Sequence, residues 1–417
     1  MKAEGGAERK RAGQHQGAAV KKGWQTKKLA DLVEVQNGYA FSSKDYSESG
    51  HFLMRIGNVQ NGYISTADPK FIKLPADGSL KRFVLSEDDI LVSLTGNVGR
   101  VGVIQAEHLP AALNQRVARI SIRKDSPATR ELLLLFLCSD WFREELIGAG
   151  HGAAQQNVST KDLVEIEIPV PPLAEQQRIV GLLDEVFEGL ATAKANAEKN
   201  LQNARALFES HLQSVFTQRG PGWKQKTLEE IATTFGRGKS KHRPRNEPKL
   251  YGGKYPFIQT GDIRNADHFI TEYSQTYSEA GLTQSKLWPK GTICITIAAN
   301  IAETAILGFD ACFPDSVIGV VANPKEAEVG FIEYLLQSFK ARIQALGKGS
   351  AQANINMGTF ENERFPFPPV AEQKEIVEKL DALSEETHRL ARLYERKLAA
   401  LDALKKSLLQ QAFTGEL

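Results

Sequence analysis

The chain is written twice, and this duplication limits its fold more than any other feature of its 417 residues. Gly23-Trp24 returns as Gly222-Trp223 and Leu29 as Leu228, an offset of 199. Gly57-Asn58-Val59 answers to Gly261-Asp262-Ile263 at an offset of 204. The offset then settles at 197, matching Gly152–Val158 to Gly349–Ile355, Pro171–Gln176 to Pro368–Gln373, and Phe216-Thr217 to Phe413-Thr414. An offset that drifts and then locks places loop insertions in the first part of each copy and none in the second. Internal repetition fixes the architecture before any residue-level reading begins.

Each copy has the same internal order. A basic tail, residues 1–22, precedes the first mixed segment, 23–172, and the first long helix, 173–219; the second mixed segment is 220–369 and the second helix 370–417. Short apolar or alternating runs in the mixed segments predict strands, among them Asp89–Leu94, Gly291–Ile297 and Ala118–Arg123. In the last of these, apolar residues take every second position, as on a half-buried strand. One helix per copy is expected at Arg130–Ile147 and Phe331–Leu346, with its dense leucines turned to a core.

Pro171-Pro172 and Pro368-Pro369 stand where a helix start tolerates proline, and Glu175 and Glu372 follow where a carboxylate complements the helix dipole. Some 45 residues then run without proline, a rod of roughly 65 Å at ~1.5 Å per residue. Ile376, Leu380, Leu383, Thr387, Leu390, Tyr394, Leu401, Leu404 and Leu408 recur at three- and four-residue spacing. Ile179, Leu183, Val186, Leu190, Ala193 and Ala197 hold the same register in the first copy. Such a seam wants a partner helix, and the chain carries one in its other copy. The fold class that follows is α+β: two similar mixed α/β domains separated by a long two-helix coiled coil, in an internal pseudo-two-fold repeat. Trp24 and Leu417 should then lie near one another.

Composition is that of an ordinary globular protein, 41% hydrophobic and 24% charged. The widely spaced Cys138, Cys294 and Cys312 make neither a disulfide framework nor a zinc site, which fits a reducing cytoplasm. The longest apolar run, Leu132–Cys138, is too short to span a bilayer, so no membrane is expected as a partner.

The ordered set of motifs resembles the specificity subunit of type I restriction–modification systems. It comprises PPLAEQQRIV (Pro171–Val180), PPVAEQKEIV (Pro368–Val377), GAAQQNVSTKDL (Gly152–Leu163), GSAQANINMGTF (Gly349–Phe360), TGDI (Thr260–Ile263) and the terminal QAFTGEL (Gln411–Leu417). The resemblance implies two target-recognition domains on double-stranded DNA, held apart by an antiparallel two-helix coiled coil, each domain reading half of a bipartite site. It implies helices that dock two methyltransferase subunits, and separate endonuclease/translocase subunits that complete the assembly. It implies no cofactor in this chain, with S-adenosylmethionine, ATP and Mg belonging to the partner subunits. The two copies diverge between their matched motifs, so the whole site is expected to be asymmetric.

A formal net charge of +2 argues against a nucleic-acid partner only as an average. The tail carries six basic and two acidic residues; 23–172 carries 16 and 18, and 219–369 carries 18 and 15. Arg237, Lys239, Lys241, Arg243 and Arg245 crowd nine residues with no acid, beside His242 and ahead of Lys254. A basic loop of this kind suits backbone phosphates, although a merely solvated loop or one docking an acidic protein has the same composition. In the first copy the candidates are Tyr39, Lys44, Tyr46, Asn97, Arg100, Gln115 and Arg116, and Asn300 takes the place of Asn97 in the second. Arg pairs with guanine, and Asn or Gln with adenine, in the major groove. Asn after Gly is equally a turn residue. Gln155 and Gln352 recur in both copies, so they cannot distinguish half-sites, and a shared support or backbone contact is expected of them. Leu183, Val186, Leu190, Leu380, Leu383, Leu390, Tyr394 and Leu401 are the helix-pairing or partner-binding candidates.

No catalytic set emerges. Asn323-Pro324-Lys325 fails the adenine-methyltransferase pattern at its third position. Gly238-Lys239-Ser240 lacks the first glycine of a phosphate-binding loop, which is Thr233, and Pro244 interrupts the helix such a loop needs. The eight histidines show no paired ligand spacing. The chain is expected to be non-catalytic. A coiled-coil scaffold with protein-binding globular ends is the alternative, and the basic loop and divergent segments favour DNA.

Overall fold

The computed structural model describes residues 21–150, 157–218, 220–241, 244–298, 300–347 and 355–417. They form two compact units, the first running to Ala197 and including Arg396–Leu417, the second spanning Glu198–Glu395.

The first unit begins with β1 (Gln25–Lys28), β2 (Val33–Asn37), β3 (His51–Met54), β4 (Ile90–Ser93), β5 (Val101–Val103), β6 (Ala111–Leu113) and β7 (Val117–Ile122). Helices α1 (Arg130–Leu137) and α2 (Asp140–Ala149), strand β8 (Glu167–Val170) and the long α3 (Leu173–Thr217) follow. The main sheet has the order β5-β4-β7-β2, with β7 antiparallel to both neighbours. A second sheet holds β3 and β6 side by side in parallel. The main sheet and α1 bury Ile90, Val92, Leu132, Leu133 and Phe136, and this core takes in Ile179 and Leu183 of α3 with Leu409 and Phe413 of the C-terminal helix. Burying a leucine in this way contributes about 2 kcal/mol.

The second unit repeats the plan with β9 (Lys224–Lys226), β10 (Ala232–Arg237), β11 (Tyr251–Phe257), α4 (Thr260–Asn265), β12 (Phe269–Ile270), β13 (Ile293–Thr296), β14 (Thr304–Leu307), β15 (Ala311–Cys312) and β16 (Val317–Ala322). It closes with α5 (Val329–Ser338), α6 (Lys340–Gly347), β17 (Phe365–Phe367) and the long α7 (Val370–Thr414). Its main sheet runs β10-β16-β13-β14-β12. Registers repeat as well: Ser93 lies opposite Val117, and Thr296 opposite Val317. Leu212 and Phe216 share a core with Phe331, Leu335 and Leu380.

Both long helices are 45 residues, as the proline-free runs predict. Within the first unit their segments run antiparallel, with Lys194 paired to Asp402 and Arg178 donating to the Leu417 carbonyl. Within the second unit Arg205 pairs with Glu395, while Phe208 and Leu212 meet the core that holds Ile376 and Leu380. Leu183 and Leu380 are fully buried. Val186, Leu190, Leu383, Leu390, Tyr394 and Leu401 are half-buried. Leu404 departs from the expected seam at 46% exposure. Lys405, one residue on, lies over the Phe187 ring instead, because the buried stripe drifts around a 3.6-residue helix. Trp24 and Leu417 both pack on the first unit's core, so the ends lie close as expected.

The single helix expected in each mixed segment is two. Ser139 interrupts the first, its hydroxyl accepting from the Phe142 amide as an N-cap, and the second breaks at Phe339. The apolar periodicity continues across both breaks and hides them.

Gln176 and Gln373 tie the helix starts to their sheets. Each is buried, each donates to two carbonyls (Pro127 and Pro171; Glu326 and Pro368), and each accepts a backbone amide (Thr129; Glu328). Glu175 sits outside this tie. The Arg178 guanidinium, against the cost of burial and with help from Lys21, holds its carboxyl down to about 2. Among the described residues no helix is long and apolar enough to cross a membrane.

Candidate nucleic-acid interface

One end of each main sheet collects most of the residues named from sequence. In the first unit it is formed by the turns leaving β2 and β4 and entering β5 and β7. Gly38 donates to the Val117 carbonyl, and Gln115 donates to the Tyr39 carbonyl. The approach is close: a Cβ at Gly38 would stand 1.9 Å from the Asn114 oxygen, so only glycine fits. The closeness holds Tyr39, 41% exposed, beside Gln115 and Arg116 on the rim. Arg116 has φ +68°, a left-handed conformation unusual for a non-glycine residue, and its carbonyl accepts from Leu94.

The adjoining turn is Gly96–Gly99. The Ser93 hydroxyl donates to the Asn97 carbonyl and accepts from the Arg100 amide. Arg100 donates to Gln60 at 2.6 Å. With the Asn97 amide oriented to satisfy both groups, its oxygen accepts from the same guanidinium at 3.2 and 3.3 Å. Asn157 bridges to Thr95, and Val158 donates to Leu94, so the chain leaving residues 151–156 joins this end too.

The second unit builds the same end from different side chains. Gly238 donates to Val317, Thr296 donates to Asn300 and accepts from the Glu303 amide, and Ile355 donates to Ile297. Each of these bonds has its counterpart in the first unit, but the Gln115–Tyr39 backbone bond has none in the second, where the Lys239 carbonyl accepts from the Ser285 hydroxyl. The shared bonds place Lys239 where the first unit has Tyr39, Asp315 where it has Gln115, Ser316 where it has Arg116, and Glu303 where it has Arg100. Glu303 pairs with Lys340 at 2.7 Å, and a guanidinium reaches Asn300 from Arg264 instead, at 3.5 Å.

Exposure alternates along 237–241: Arg237, Lys239 and Lys241 face solvent, while Gly238 and Ser240 are buried. Extended backbone puts such cations about 6.6 Å apart on one face. Arg237 donates to the Asp315 carbonyl oxygen, and Arg245 donates to both carboxylate oxygens of Asp315 at 2.8 and 2.9 Å. Lys286 lies 3.5 Å from the centre of the Trp288 ring. Its own burial and the charge of Lys239 lower its pKa.

Other residues named from sequence fall elsewhere. Tyr46 packs on the core of Phe41, Leu53 and Ile72, and Lys44 lies on the short turn before it. Lys254 pairs with Glu279 at 3.3 Å. Gln155, Gln352, His242 and Arg243 lie outside the described residues. Gln60, Arg264, Lys286 and Asp315 escape the sequence reading. Contacts made across the fold find them: Gln60 on Arg100, Arg264 on Asn300, Lys286 on the Trp288 ring and Asp315 on Arg237 and Arg245.

A second polar cluster lies behind the second sheet. The fully buried Glu333 of α5 meets His268 at 2.7 Å and accepts from Thr304 and Gln337. His268 stacks on Tyr334, whose hydroxyl donates to Asp381 of α7 at 2.6 Å. Burial works against the imidazolium, but Glu333, with Asp381 and Asp267 beyond it, raises the His268 pKa. The helix caps at Thr129 and Glu328 align α1 with α5, which puts Leu134 and Leu135 at the positions of Glu333 and Tyr334. Among the described residues no group of three or more His, Cys, Asp or Glu side chains could hold a metal ion.

Comparison with known proteins agrees with this geometry. The family model described as type I restriction modification DNA specificity domain matches twice, at residues 21–202 and 221–395. The EcoKI specificity subunit of Escherichia coli K12 is 23% identical over 423 residues, covering 95% of this chain and 89% of its own. The StySPI specificity subunit of Salmonella potsdam is 21% identical, with coverages of 95% and 89%. Two solved structures share the fold, each at 20% identity and 95% coverage of this chain. One comes from work on assembly and conformational transition of the type I R-M system, with a TM-score of 0.76 and 99% of that chain covered. The other is the HsdS subunit of Thermoanaerobacter tengcongensis, with a TM-score of 0.59 and 98% covered. With both halves matched, the chain belongs to the type I restriction modification DNA specificity domain family.

Proposed function

We propose that each unit reads one half of an asymmetric bipartite site on double-stranded DNA through the sheet end described above. The observation that carries the reading is the scaffold match: a shared set of hydrogen bonds at the sheet end presents Tyr39, Gln115, Arg116 and Arg100 in one unit, and Lys239, Asp315, Ser316 and Glu303 in the other. Different side chains on one frame call for different base sequences. The first rim offers an aromatic ring, an amide and two guanidinium groups. The second offers a strip of cations suited to phosphates.

The long helices dock two methyltransferase subunits, and endonuclease/translocase subunits complete the complex. S-adenosylmethionine, ATP and Mg serve those partners. Leucines on the solvent side of the helices support the docking: Leu182 and Leu404 are 38% and 46% exposed in the first unit, Leu207 and Leu393 51% and 44% in the second. Family membership removes the ground for a scaffold that binds proteins alone. The test is a gel shift of a random-sequence duplex by the chain co-expressed with its methyltransferase subunit. A retarded band at low salt that weakens steeply with added NaCl is expected, and no band at low salt would overturn the reading.

A further inference from the structure

Asp315 presents a puzzle on the proposed DNA face. It is a carboxylate in the middle of a cationic strip, where it should repel phosphates, and the first unit has neutral Gln115 at the matched position. Its contacts explain it. The backbone carbonyl of Asp315 takes the Arg237 guanidinium, and its carboxylate takes Arg245. Tyr251 donates to the Arg245 carbonyl at 2.6 Å, and Ser285 donates to the Lys239 carbonyl at 2.8 Å. Both arginines and the backbone of Lys239 are therefore tied down. Among the described residues the side chains of Lys239 and Lys241 make no ion pair, and the burial of Ser240 between them fixes their outward direction.

We propose that Asp315 is a positioning residue for half-site recognition by the second unit. It withdraws Arg237 and Arg245 from indiscriminate phosphate binding and uses them to hold Lys239 and Lys241 in one register. A loop of five mobile cations would grip any duplex, whereas two cations on a pinned strand grip in one geometry. The carboxylate gives up electrostatic affinity in return for discrimination. Tyr39 of the first unit needs no such clamp, since its strand end is neutral and its ring already packs on Phe41 and Phe83.

This rests on the reading of the sheet end as a DNA surface, and the test separates the two. Asp315→Asn, Asp315→Glu and the Lys239→Ala/Lys241→Ala pair are each assembled with the methyltransferase subunit. Each is measured on a random-sequence duplex across a NaCl series, and by selection from a pool of randomised duplexes. Asp315→Asn is expected to bind the random duplex several-fold more tightly. Its log–log salt slope should steepen by about 0.9, since the Arg245 guanidinium is freed while Arg237 stays on the backbone carbonyl that asparagine keeps. Its selected sequences should lose preference in one half-site only, and Asp315→Glu should restore that preference. An unchanged slope and unchanged selection in Asp315→Asn would overturn the positioning role. If Asp315→Asn does not fold, Arg245→Gln breaks the clamp from the exposed side and must lose the same half-site preference, or the proposal fails. Should Lys239→Ala/Lys241→Ala bind and select like the unsubstituted chain, the DNA reading of this surface fails instead.

Discussion

At the sheet end of the first unit stand Tyr39, Gln115, Arg116 and Arg100; the same backbone positions in the second unit hold Lys239, Asp315, Ser316 and Glu303. Most of the bonds beneath them are shared. Gly38 and Gly238 donate to Val117 and Val317, Ser93 and Thr296 cap equivalent turns, and Gln176 and Gln373 tie equivalent helix starts. The frame is held by backbone groups, two glycines and buried polar side chains, and none of these bonds uses a rim side chain. A rim carried on such a frame can change sequence without refolding the unit. The units differ behind the sheet too, where Leu134 and Leu135 of one answer to Glu333 and Tyr334 of the other. Duplication has kept the frame and released both the reading face and one patch of the core.

If the frame is common, damage to it should cost both units alike. Gln176→Ala removes the partner of the Thr129 amide and of the Pro127 and Pro171 carbonyls, the last of them buried, and Gln373→Ala does the same to Glu328, Glu326 and the buried Pro368. Each should destabilise its unit by about 3 kcal/mol, with similar losses in urea unfolding. A loss in one variant and none in the other would break the equivalence of the two helix starts.

A smaller effect should separate the units. His268 has a raised pKa, so its pairing with Glu333 stabilises the second unit fully below the ordinary histidine range and is lost as pH rises through the raised value. Hydrogen exchange in 329–338, corrected for intrinsic rate, should lose protection as pH rises above the ordinary histidine range. Protection in 130–137 of the first unit should stay level, and His268→Gln should flatten the difference. An equal pH response in both segments would remove the His268 pairing from the comparison.

Much of the frame was legible in the sequence because duplication writes it twice. The helix bounds, the buried Leu183 and Leu380, and the matching of Asn97 with Asn300 all follow from repeated spacing. The break at Ser139 was hidden because a capping serine inside an apolar run disturbs its periodicity very little. The rim was only half legible. Arg237 and Arg245 read as free cations, yet their partner Asp315 lies 78 and 70 residues away. Arg100 and Glu303 align in sequence while the guanidinium at the turn comes from Arg264 in the second unit. Long-range pairing of this kind has no local pattern to betray it. The net charge of +2 likewise concealed a slightly acidic reader and a slightly basic one.

Two different rims on one frame should read two different half-sites. Base-resolved methylation maps of cells expressing the complex with Tyr39→Ala/Gln115→Ala or with Lys239→Ala/Lys241→Ala separate the two rims. Each pair should relax the sequence of one half-site, a different one in each case, and leave the other half-site intact. Relaxation of both half-sites by either pair, or of the same half-site by both, would contradict this.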